Sequence, residues 1–442
     1  MKNDIKFPNP PMGWNSYDYY DTCIKEDEVK KNADYMAKYL KDYGWQYIIV
    51  DIQWYAQEAG KNREFYEYVP FGKLEMDSYG RLIPCKERFP SAQKNGFQKL
   101  ADYIHSLGLK FGIHIMRGIP RCAAELRLPI WGSSYYAHEA ADPYAICNWN
   151  PDMYGVCDNE AGQAYYDSII TLYAQWGVDY IKCDDICNTH GQMGRPDSAM
   201  HEIIMIYNAI KKCKREIFFS VSPGPALLNR AYIYNQYTDA WRMSNDFWDN
   251  WEQLKNMFDF CEQWGEFTGQ GKYPDCDMLP LGKIGKGFGR ERNTFLNRDE
   301  QRTMFTLWSI FRSPMMLGCE LTMLDPETLQ MLQNRKVLKM LTTGFHRYEI
   351  YRNSNIVVWV SENEGSKEIF WAIFNLSDND MSIKGKELLQ IMELENNSKV
   401  KFENIWKECF SEIENNENIA EKIPAHGVVL LYLDEVGSGC LH

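Results

Sequence analysis

At 442 residues the chain is too long for one compact core of ordinary size, so we expect a large domain followed by a smaller one. The formal net charge of -13 argues against nucleic acids and anionic membranes as partners, because binding phosphate requires clustered Lys and Arg. Aromatic residues make up 14% of the chain, with 14 Trp and 28 Tyr. This content favours a carbohydrate ligand, since aromatic faces stack on sugar rings, although such residues also fill ordinary cores.

The sequence also predicts the compartment. The first residues lack the apolar core of a signal peptide, and no run approaches the roughly 20 apolar residues that span a bilayer. The 13 cysteines are scattered without a tight framework, which suits a reducing compartment. We therefore expect a cytoplasmic protein, although a chain from which a signal had been removed would look the same. Cys183 and Cys187 lack a second close pair that would complete a zinc site, so we expect no metal.

Strand-like and helix-like segments alternate along the first three quarters of the chain. The predicted strands are residues 46–52, 109–116, 178–183, 217–222, 239–244 and 314–318. The predicted helices are residues 26–41, 91–106, 162–176, 199–212, 249–264 and 298–311. This rhythm predicts a (β/α)8 TIM barrel over residues 1–343, with an open doubly wound sheet as the alternative.

After residue 343 the pattern changes to short alternating runs separated by polar turns. Residues 355–360, 368–375 and 428–433 are examples of these runs. Alternation of apolar and polar residues indicates antiparallel strands with one buried face. We predict a small carboxyl-terminal antiparallel β-sandwich over residues 344–442 that packs against the barrel.

One segment, residues 177–185, carries the strongest functional signal. Its apolar run reads as a buried parallel strand and ends in Lys182, Asp184 and Asp185. These charges therefore lie at the carboxyl end of a strand, which in a barrel is the mouth where catalytic residues are found. Either aspartate could instead cap the next helix or turn, and this reading is stronger for Asp185.

Other carboxylates recur at predicted strand ends and would converge on the same pocket. They are Asp51, Asp246, Asp275 and Asp277. Two carboxyl groups that face one bond suffice for glycoside hydrolysis, whereas a ring of carboxylates could also hold a divalent metal. Lys182 and Arg242 favour the sugar, because cations are poor neighbours for a metal.

Two further features are candidates for ligand binding. The Gly-rich segment 282–290 lacks the strand before it and the helix after it that a phosphate-binding loop requires, so we expect a flexible loop. His114 ends a predicted strand and could reach the pocket or be a core histidine.

Several motifs in order along the chain resemble glycoside hydrolase family 27, which includes α-galactosidases and α-N-acetylgalactosaminidases. The motifs are PPMGWNS at 10–16, YIIVD at 47–51, DYIKCD at 179–184, WRMSND at 241–246, DCDML at 275–279 and IPAHGV at 423–428. The resemblance implies a (β/α)8 barrel followed by an antiparallel β domain. It also implies hydrolysis that retains the anomeric configuration and needs no cofactor.

The resemblance assigns roles to individual residues. Asp184 matches the nucleophile, which forms a covalent glycosyl-enzyme intermediate, and Asp246 matches the acid/base. The two carboxyl groups should lie roughly 5 to 5.5 Å apart, as direct attack requires. The resemblance also implies that the hydroxyl groups of the sugar are bound by Asp51, Lys182, Arg242 and Asp277. It implies that the apolar side of the pocket is lined by Trp14 and Tyr17.

Three pocket positions depart from typical α-galactosidases. Ile52 replaces a second aspartate that helps to bind galactose hydroxyls, which should weaken or redirect recognition around the 4- and 6-positions. His114 replaces a tyrosine. Ser222 replaces a glutamate in a pattern similar to N-acetylgalactosaminidases, and it leaves space near the 2-position of the sugar.

A cysteine pair of secreted relatives is also incomplete. Cys122 is present, but Ile186 stands where its partner is expected, and Cys187 lies one residue away. A bridge between Cys122 and Cys187 stays open.

The leading hypothesis is a retaining exo-acting α-galactosidase that removes a terminal sugar from oligosaccharides or glycoconjugates. An α-N-acetylgalactosaminidase or a β-L-arabinopyranosidase with the same two carboxylates is the alternative, since arabinopyranose lacks only the hydroxymethyl group of galactose. The alternatives from other classes are a sugar-binding module on an inactive barrel and a metal-dependent hydrolase. The expected partner is the carbohydrate substrate, without nucleic acid or membrane, and a homo-oligomer stays open.

Overall fold

The computed structural model describes residues 5–60, 72–93, 95–189, 199–363, 366, 368–394, 399–414 and 420–433. Eight parallel strands form the sheet of the larger part. These strands, β1 to β8, are Met12–Asn15, Tyr47–Val50, Lys110–Met116, Tyr180–Asp184, Phe218–Val221, Ala240–Arg242, Tyr273–Asp275 and Met315–Leu317. Along the sheet they follow the order β7, β6, β5, β4, β3, β2, β1, β8.

The sheet curls until its two ends meet. Strand β1 pairs in parallel with both β2 and β8, and a parallel bridge between Leu279 and Leu317 joins the segment after β7 to β8. The Leu279 amide donates to the Met316 carbonyl at 2.7 Å. The predicted barrel is therefore confirmed, and the alternative of an open doubly wound sheet is wrong.

Helices surround this sheet and follow the strands in turn. The principal ones, α1 to α8, are Glu26–Tyr39, Gln98–Ser106, Glu160–Trp176, Met200–Lys212, Ala231–Tyr237, Trp251–Trp264, Arg298–Phe311 and Arg335–Thr343. Shorter helices span Tyr17–Tyr20, Arg121–Glu125, Ala137–Ala140 and Pro326–Leu332. No helix of the described segments is long and apolar enough to cross a membrane.

Two excursions leave the barrel at its carboxyl-terminal end. After β3, the strands Ile119–Pro120, Ala141–Ile146 and Met153–Val156 form a small antiparallel sheet, and after β7, Lys283–Ile284 pairs with Arg292–Asn293. Such loops at the carboxyl ends of the strands build the walls of a barrel's active site.

Local chemistry explains where several helices begin and end. The Asn159 side chain accepts a hydrogen bond from the Gly162 amide at the start of α3, and Asn297 accepts from Asp299 and Glu300 at the start of α7. These bonds satisfy amides that have no partner within the helix. Helix α3 ends at Gly177, whose φ of +85° is readily adopted only by glycine.

The sequence pattern missed three elements of the barrel. Strand β1 was recognised only as a motif, β7 contains a proline, and α5 has only seven residues. The helix predicted from residue 91 begins at Gln98, because Pro90–Ala92 forms a separate 3-10 turn.

The smaller part is an antiparallel sheet of six strands with a second sheet of two strands. Strands β9 to β16 are Gly344–Arg352, Ile356–Asn363, Ile369–Asn375, Met381–Lys384, Lys399–Asn404, Cys409–Glu414, Ala420–Ile423 and Val428–Leu433, and a helix spans Gly385–Ile391 between β12 and β13. The large sheet has the order β9, β10, β11, β16, β13, β14, and β12 pairs with β15.

Strand β10 shows how the large sheet divides its side chains. Val357 and Trp359 pack with the core of the barrel, whereas Ile356, Val358 and Val360 pack on the opposite side. On that opposite side the same cluster includes residues from β12, β15 and the short helix. The predicted β-sandwich therefore has two unequal layers. The predicted division into domains at residue 343 stays a prediction, although α8 ends at Thr343.

Candidate active site

A cavity of about 330 Å³ opens at the carboxyl ends of the barrel strands. It is lined by most of the site residues expected from the sequence and by several others. The expected residues in its wall are Tyr17, Asp51, Lys182, Asp184, Arg242, Asp246 and Asp277. The others are Asp18, Ile52, Trp149, Pro223, Asn245, Phe247, Trp248 and Met278.

Asp184, at the end of β4, has both carboxylate oxygens engaged. Oδ1 accepts a hydrogen bond of 2.6 Å from the Ser222 hydroxyl, and Oδ2 lies 2.9 Å from His114 Nε2. Burial by itself raises the pKa of this carboxyl, but Lys182, His114 and Ser222 outweigh it and hold the pKa well below its usual value. The arrangement fixes an ionised, oriented carboxylate at the base of the cavity.

Asp51, at the end of β2, forms a second buried group. Its Oδ2 lies 3.0 Å from Lys182 Nζ and accepts 2.6 Å from Asn15 Nδ2, while Oδ1 accepts from the Ile52 amide. Burial by itself lowers the pKa of Lys182, yet Asp51 and Asp184 outweigh it and raise that pKa. Lys182 therefore stays a cation between two carboxylates and can donate to sugar hydroxyls.

Arg242, the last residue of β6, joins two further carboxylates. Its Nη2 lies 2.9 Å from Asp246 Oδ1 and 2.6 Å from Asp277 Oδ2. Asp277 Oδ2 also accepts 2.7 Å from the Phe247 amide. Burial, with help from Asp246 and Asp275, raises the pKa of Asp277 despite the opposing effect of Arg242.

Asp184 and Asp246 differ sharply in access to water. The Asp184 side chain is 14% exposed, whereas that of Asp246 is 61% exposed. A carboxyl group at the rim can exchange its proton with solvent, while one at the base is shielded. The two environments are suited to different tasks at one bond.

An aromatic wall faces these charges. The Tyr17 ring lies 5.9 Å from Lys182 Nζ and contacts Phe288, which in turn contacts Trp248. Trp149, from the excursion after β3, also lines the cavity. Aromatic faces opposite hydrogen-bonding groups match a sugar, which has apolar and polar faces.

The Gly-rich segment supports this wall. The Gly285 and Gly287 amides donate to the Asp18 and Tyr19 carbonyls at 2.8 and 2.7 Å. A Cβ on Gly287 would lie 2.2 Å from the Tyr20 carbonyl oxygen, so the close approach requires glycine. The predicted flexible loop is therefore fixed by its own backbone to the segment after β1.

Three expected site residues lie outside the lining of this cavity. Trp14 is fully buried and donates from Nε1 to the Cys319 carbonyl at 2.6 Å, so it does not form the apolar wall. His114 and Ser222 are buried behind Asp184 and hold its carboxylate. The Ser222 hydroxyl is thus engaged by Asp184, and the space expected near the 2-position of the sugar stays a prediction.

Asp185 points away from the cavity into a buried ion network. Arg117 Nη2 lies 2.6 Å from Asp185 Oδ2, and Arg117 Nη1 lies 3.0 Å from Glu202 Oε1. Glu202 also accepts from the Tyr166 hydroxyl. Of the two adjacent aspartates, only Asp184 lines the cavity, and Asp185 anchors the strand end.

The sequence reasoning missed Asp18, Trp149, Asn245, Phe247 and Met278 as cavity residues. Asp18 follows the motif at 10–16 by two residues, and Asn245 and Met278 lie inside motifs that were quoted for other residues. Their positions adjacent to expected site residues were a usable signal. Trp149 lies in a long loop whose path the sequence pattern does not specify.

The cysteines near the site do not form a bridge. Cys122 and Cys187 are both free thiols: Cys122 Sγ lies 3.7 Å from Met76 Sδ, and Cys187 Sγ lies 3.8 Å from the Arg242 carbonyl. The disulfide that the sequence allowed between them is therefore absent. Within the described ranges, no group of three His, Cys, Asp or Glu residues could hold a metal ion.

Comparison with known proteins agrees with this geometry. The family model described as Alpha galactosidase A matches residues 10–160 and 154–342. An alpha-galactosidase of Oryza sativa subsp. japonica is 26% identical over 367 residues, covering 82% of this chain and 71% of the relative.

Solved structures are more similar. A GH27 β-L-arabinopyranosidase from Geobacillus stearothermophilus has a TM-score of 0.89 and 46% identity, covering 97% of this chain and 96% of that one. A candidate alpha-N-acetylgalactosaminidase from Bacillus halodurans C-125 has a TM-score of 0.83 and 41% identity, covering 96% of this chain and 97% of that one. The cavity, the family match and these neighbours identify the chain as a glycoside hydrolase that belongs to glycoside hydrolase family 27.

Proposed function

We propose that the protein hydrolyses terminal β-L-arabinopyranosides with retention of configuration, and that α-D-galactosides are its weaker substrates. The observation that carries this proposal is Ile52, a buried apolar residue in the cavity wall beside Asp51. The sequence alone favoured galactose. The 46% identical neighbour described as a β-L-arabinopyranosidase supports the change of preference.

The chemical difference between the two sugars is confined to one substituent. β-L-Arabinopyranosides and α-D-galactosides share the ring hydroxyls and the anomeric geometry, and only galactose carries a hydroxymethyl group. A hydroxyl that enters an apolar wall loses water without gaining an acceptor, which costs about 1 to 3 kcal/mol. Ile52 presents such a wall where α-galactosidases have a carboxylate. The smaller sugar avoids this cost.

The proposed reaction uses the contrast between the exposed and the buried carboxyl. The Asp184 carboxylate attacks the anomeric carbon while the Asp246 carboxylic acid gives its proton to the departing oxygen. The Asp246 carboxylate then takes a proton from water, which attacks the same carbon and releases Asp184. Two inversions at one carbon give net retention.

The neighbouring charges support these two steps. Lys182, His114 and Ser222 keep Asp184 ionised before the attack. Arg242 holds Asp246 and Asp277 on one guanidinium nitrogen and so fixes the acid relative to the sugar. The N-acetylgalactosaminide alternative is less favoured, since the Ser222 hydroxyl is already bound to Asp184.

The test compares kcat/KM for 4-nitrophenyl β-L-arabinopyranoside, α-D-galactopyranoside and N-acetyl-α-D-galactosaminide. We expect the arabinoside to be favoured over the galactoside about 10- to 200-fold, the range that one substituent in an apolar pocket provides. Ile52→Asp should narrow or reverse this ratio, whereas the control Ile52→Val should preserve it. A wild-type preference for galactoside that Ile52→Asp leaves unchanged would contradict the proposed specificity.

A second experiment tests the chemistry. Asp184→Ala should abolish turnover of all three substrates, with partial rescue by azide, and the first product seen by NMR should have the substrate's anomeric configuration. Full activity of the Asp184→Ala variant, or an inverted first product, would refute the mechanism.

The location of the protein in the cytoplasm, expected from the sequence, also stays a proposal.

A further inference from the structure

Asp18 is a buried acid in the cavity wall with no part in the reaction described above. It lies in the short helix Tyr17–Tyr20 after β1 and is 1% exposed. Its carboxyl packs on Gly318, directly after β8: a Cβ at residue 318 would lie 1.9 Å from Asp18 Oδ2. The absence of a side chain at Gly318 is what gives this carboxyl its room.

The position of Asp18 places a carboxyl in an arc of the cavity that has no other charged side chain among its described lining residues. Among the described residues that line it, the other charged side chains lie at or after the carboxyl ends of β2, β4, β6 and β7. None of those follows β8 or β1, which lie between β7 and β2 in the closed barrel. Asp18 is the charged residue that occupies this arc, between Asp277 on one side and Asp51 on the other.

The hydrogen bonding of Asp18 is incomplete. Its Oδ2 is buried and has no hydrogen-bond partner among the residues that the structure describes. Burial, followed by the charge of Asp277, raises the pKa of Asp18 well above its usual value, and Lys182 only partly opposes this. A neutral carboxylic acid carries an O–H donor, and leaving such a donor unpaired in a buried site is costly.

The Asp18 side chain lines the cavity, where a bound sugar offers a partner to its carboxyl, because each ring hydroxyl both donates and accepts. We propose that Asp18 binds the sugar directly, as a carboxylic acid that donates a hydrogen bond to one ring hydroxyl. This inference rests on the proposed function, since it requires a pyranose in the cavity. It assigns a sugar-binding role to the arc of the cavity that lies at β1 and β8.

The test measures competitive inhibition constants of L-arabinose and its 2-, 3- and 4-deoxy analogues against whichever aryl glycoside the wild type prefers. Asp18→Leu has a similar shape but no donor, and we expect its inhibition constant for L-arabinose to rise about 10- to 100-fold. Asp18→Asn keeps a donor and should stay within about fivefold of the wild type.

The deoxy sugars identify the hydroxyl and exclude a merely structural effect. In the wild type, removal of the hydroxyl that Asp18 contacts weakens binding, and in Asp18→Leu this particular penalty should disappear while the other two remain. An Asp18→Leu inhibition constant within twofold of the wild type would overturn the inference. The inference would also be overturned if the three deoxy sugars lost the same affinity relative to L-arabinose in Asp18→Leu as in the wild type.

A second pair of variants changes Gly318, which faces Asp18. Gly318→Ala places a methyl group against Oδ2 and should weaken binding of L-arabinose in the same way. A Cβ at residue 318 would also lie 2.7 Å from the Asp18 Cβ, which only Asp18→Gly removes together with the carboxyl. Added to Asp18→Gly, Gly318→Ala should cause no further loss, and fully additive losses would contradict the contact.

The inference and the proposed function can fail separately. A wild-type enzyme that hydrolyses neither the arabinoside nor the galactoside refutes the proposed function. An active wild type whose sugar affinity is unaffected by Asp18→Leu refutes only the role of Asp18.

Discussion

Removal of the Ser222 hydroxyl tests how the cavity keeps Asp184 ionised. That hydroxyl donates a 2.6 Å hydrogen bond to Asp184 Oδ1, and both side chains are shielded from water. A hydrogen bond to a charged group contributes about 1.5 to 3 kcal/mol. Since one pKa unit corresponds to about 1.4 kcal/mol, Ser222→Ala should raise the pKa of Asp184 by about one to two units. His114 and Lys182 remain, so the pKa should stay below that of a carboxyl buried without partners.

The assay is the pH dependence of kcat/KM on an aryl glycoside with a good leaving group. Asp184, the proposed nucleophile, would act as a carboxylate, so activity should fall when pH drops through its pKa. The acidic limb of the profile should therefore move upward by about one to two units in Ser222→Ala. The plateau should change less, because the lost bond stabilises a charge that disappears during attack.

Ser220→Ala is the matched control, since Ser220 is buried in β5 and lies two residues before Ser222. Its acidic limb should coincide with that of the wild type. An acidic limb that is unmoved in Ser222→Ala would refute the assignment of Ser222 as a support of the ionised nucleophile. The same linkage predicts stability: the lowered pKa of Asp184 stabilises the fold above the usual value of 3.8, and this contribution is lost as pH falls below it.

Three further predictions concern the rest of the structure. Arg117→Ala should lower the free energy of unfolding, measured in urea, by about 3 to 5 kcal/mol, because two buried carboxylates lose their cation. The control Lys212→Ala removes a surface ion pair and should lower it by under about 1 kcal/mol. Equal losses in the two variants would contradict the buried network. The melting temperature should be the same with and without a reductant, since Cys122 and Cys187 are free thiols, and a drop in reductant would show a bridge. Activity should persist in EDTA, because Lys182 and Arg242 already neutralise the pocket carboxylates; loss of activity that a divalent ion restores would favour a metal-dependent hydrolase.

The barrel could be predicted because its strongest strands are buried on both faces. Strand β2 consists of four fully apolar or aromatic buried residues, and the pattern located it to within two residues at each end. Strand β7, with the sequence Tyr273–Asp275, is too short and too polar to show such a pattern. Its place is determined by neighbours distant in sequence, which are β6 and, through the bridge from Leu279 to Leu317, β8.

The sequence could identify the charged residues of the site but not the contacts that they make. Strand ends converge in a barrel, so the sequence alone could assign Asp51, Asp184 and Asp246 to one pocket. The contact of Ser222 with Asp184 depends on the register between β4 and β5. Local sequence does not specify such a cross-strand register. Asp18 reaches the cavity through packing on Gly318, 300 residues later in the chain, and no local pattern encodes that approach.

The exposed position of Asp246 has a consequence for the departing half of the substrate. In the proposed reaction the sugar lies inside the cavity, whereas Asp246, the proposed acid, has a side chain that is 61% exposed. A leaving group at the rim meets mostly solvent, so its shape contributes little to binding. Rates for different aglycones should then follow the acidity of the departing alcohol more closely than its size, and other alcohols can replace water as acceptors of the sugar.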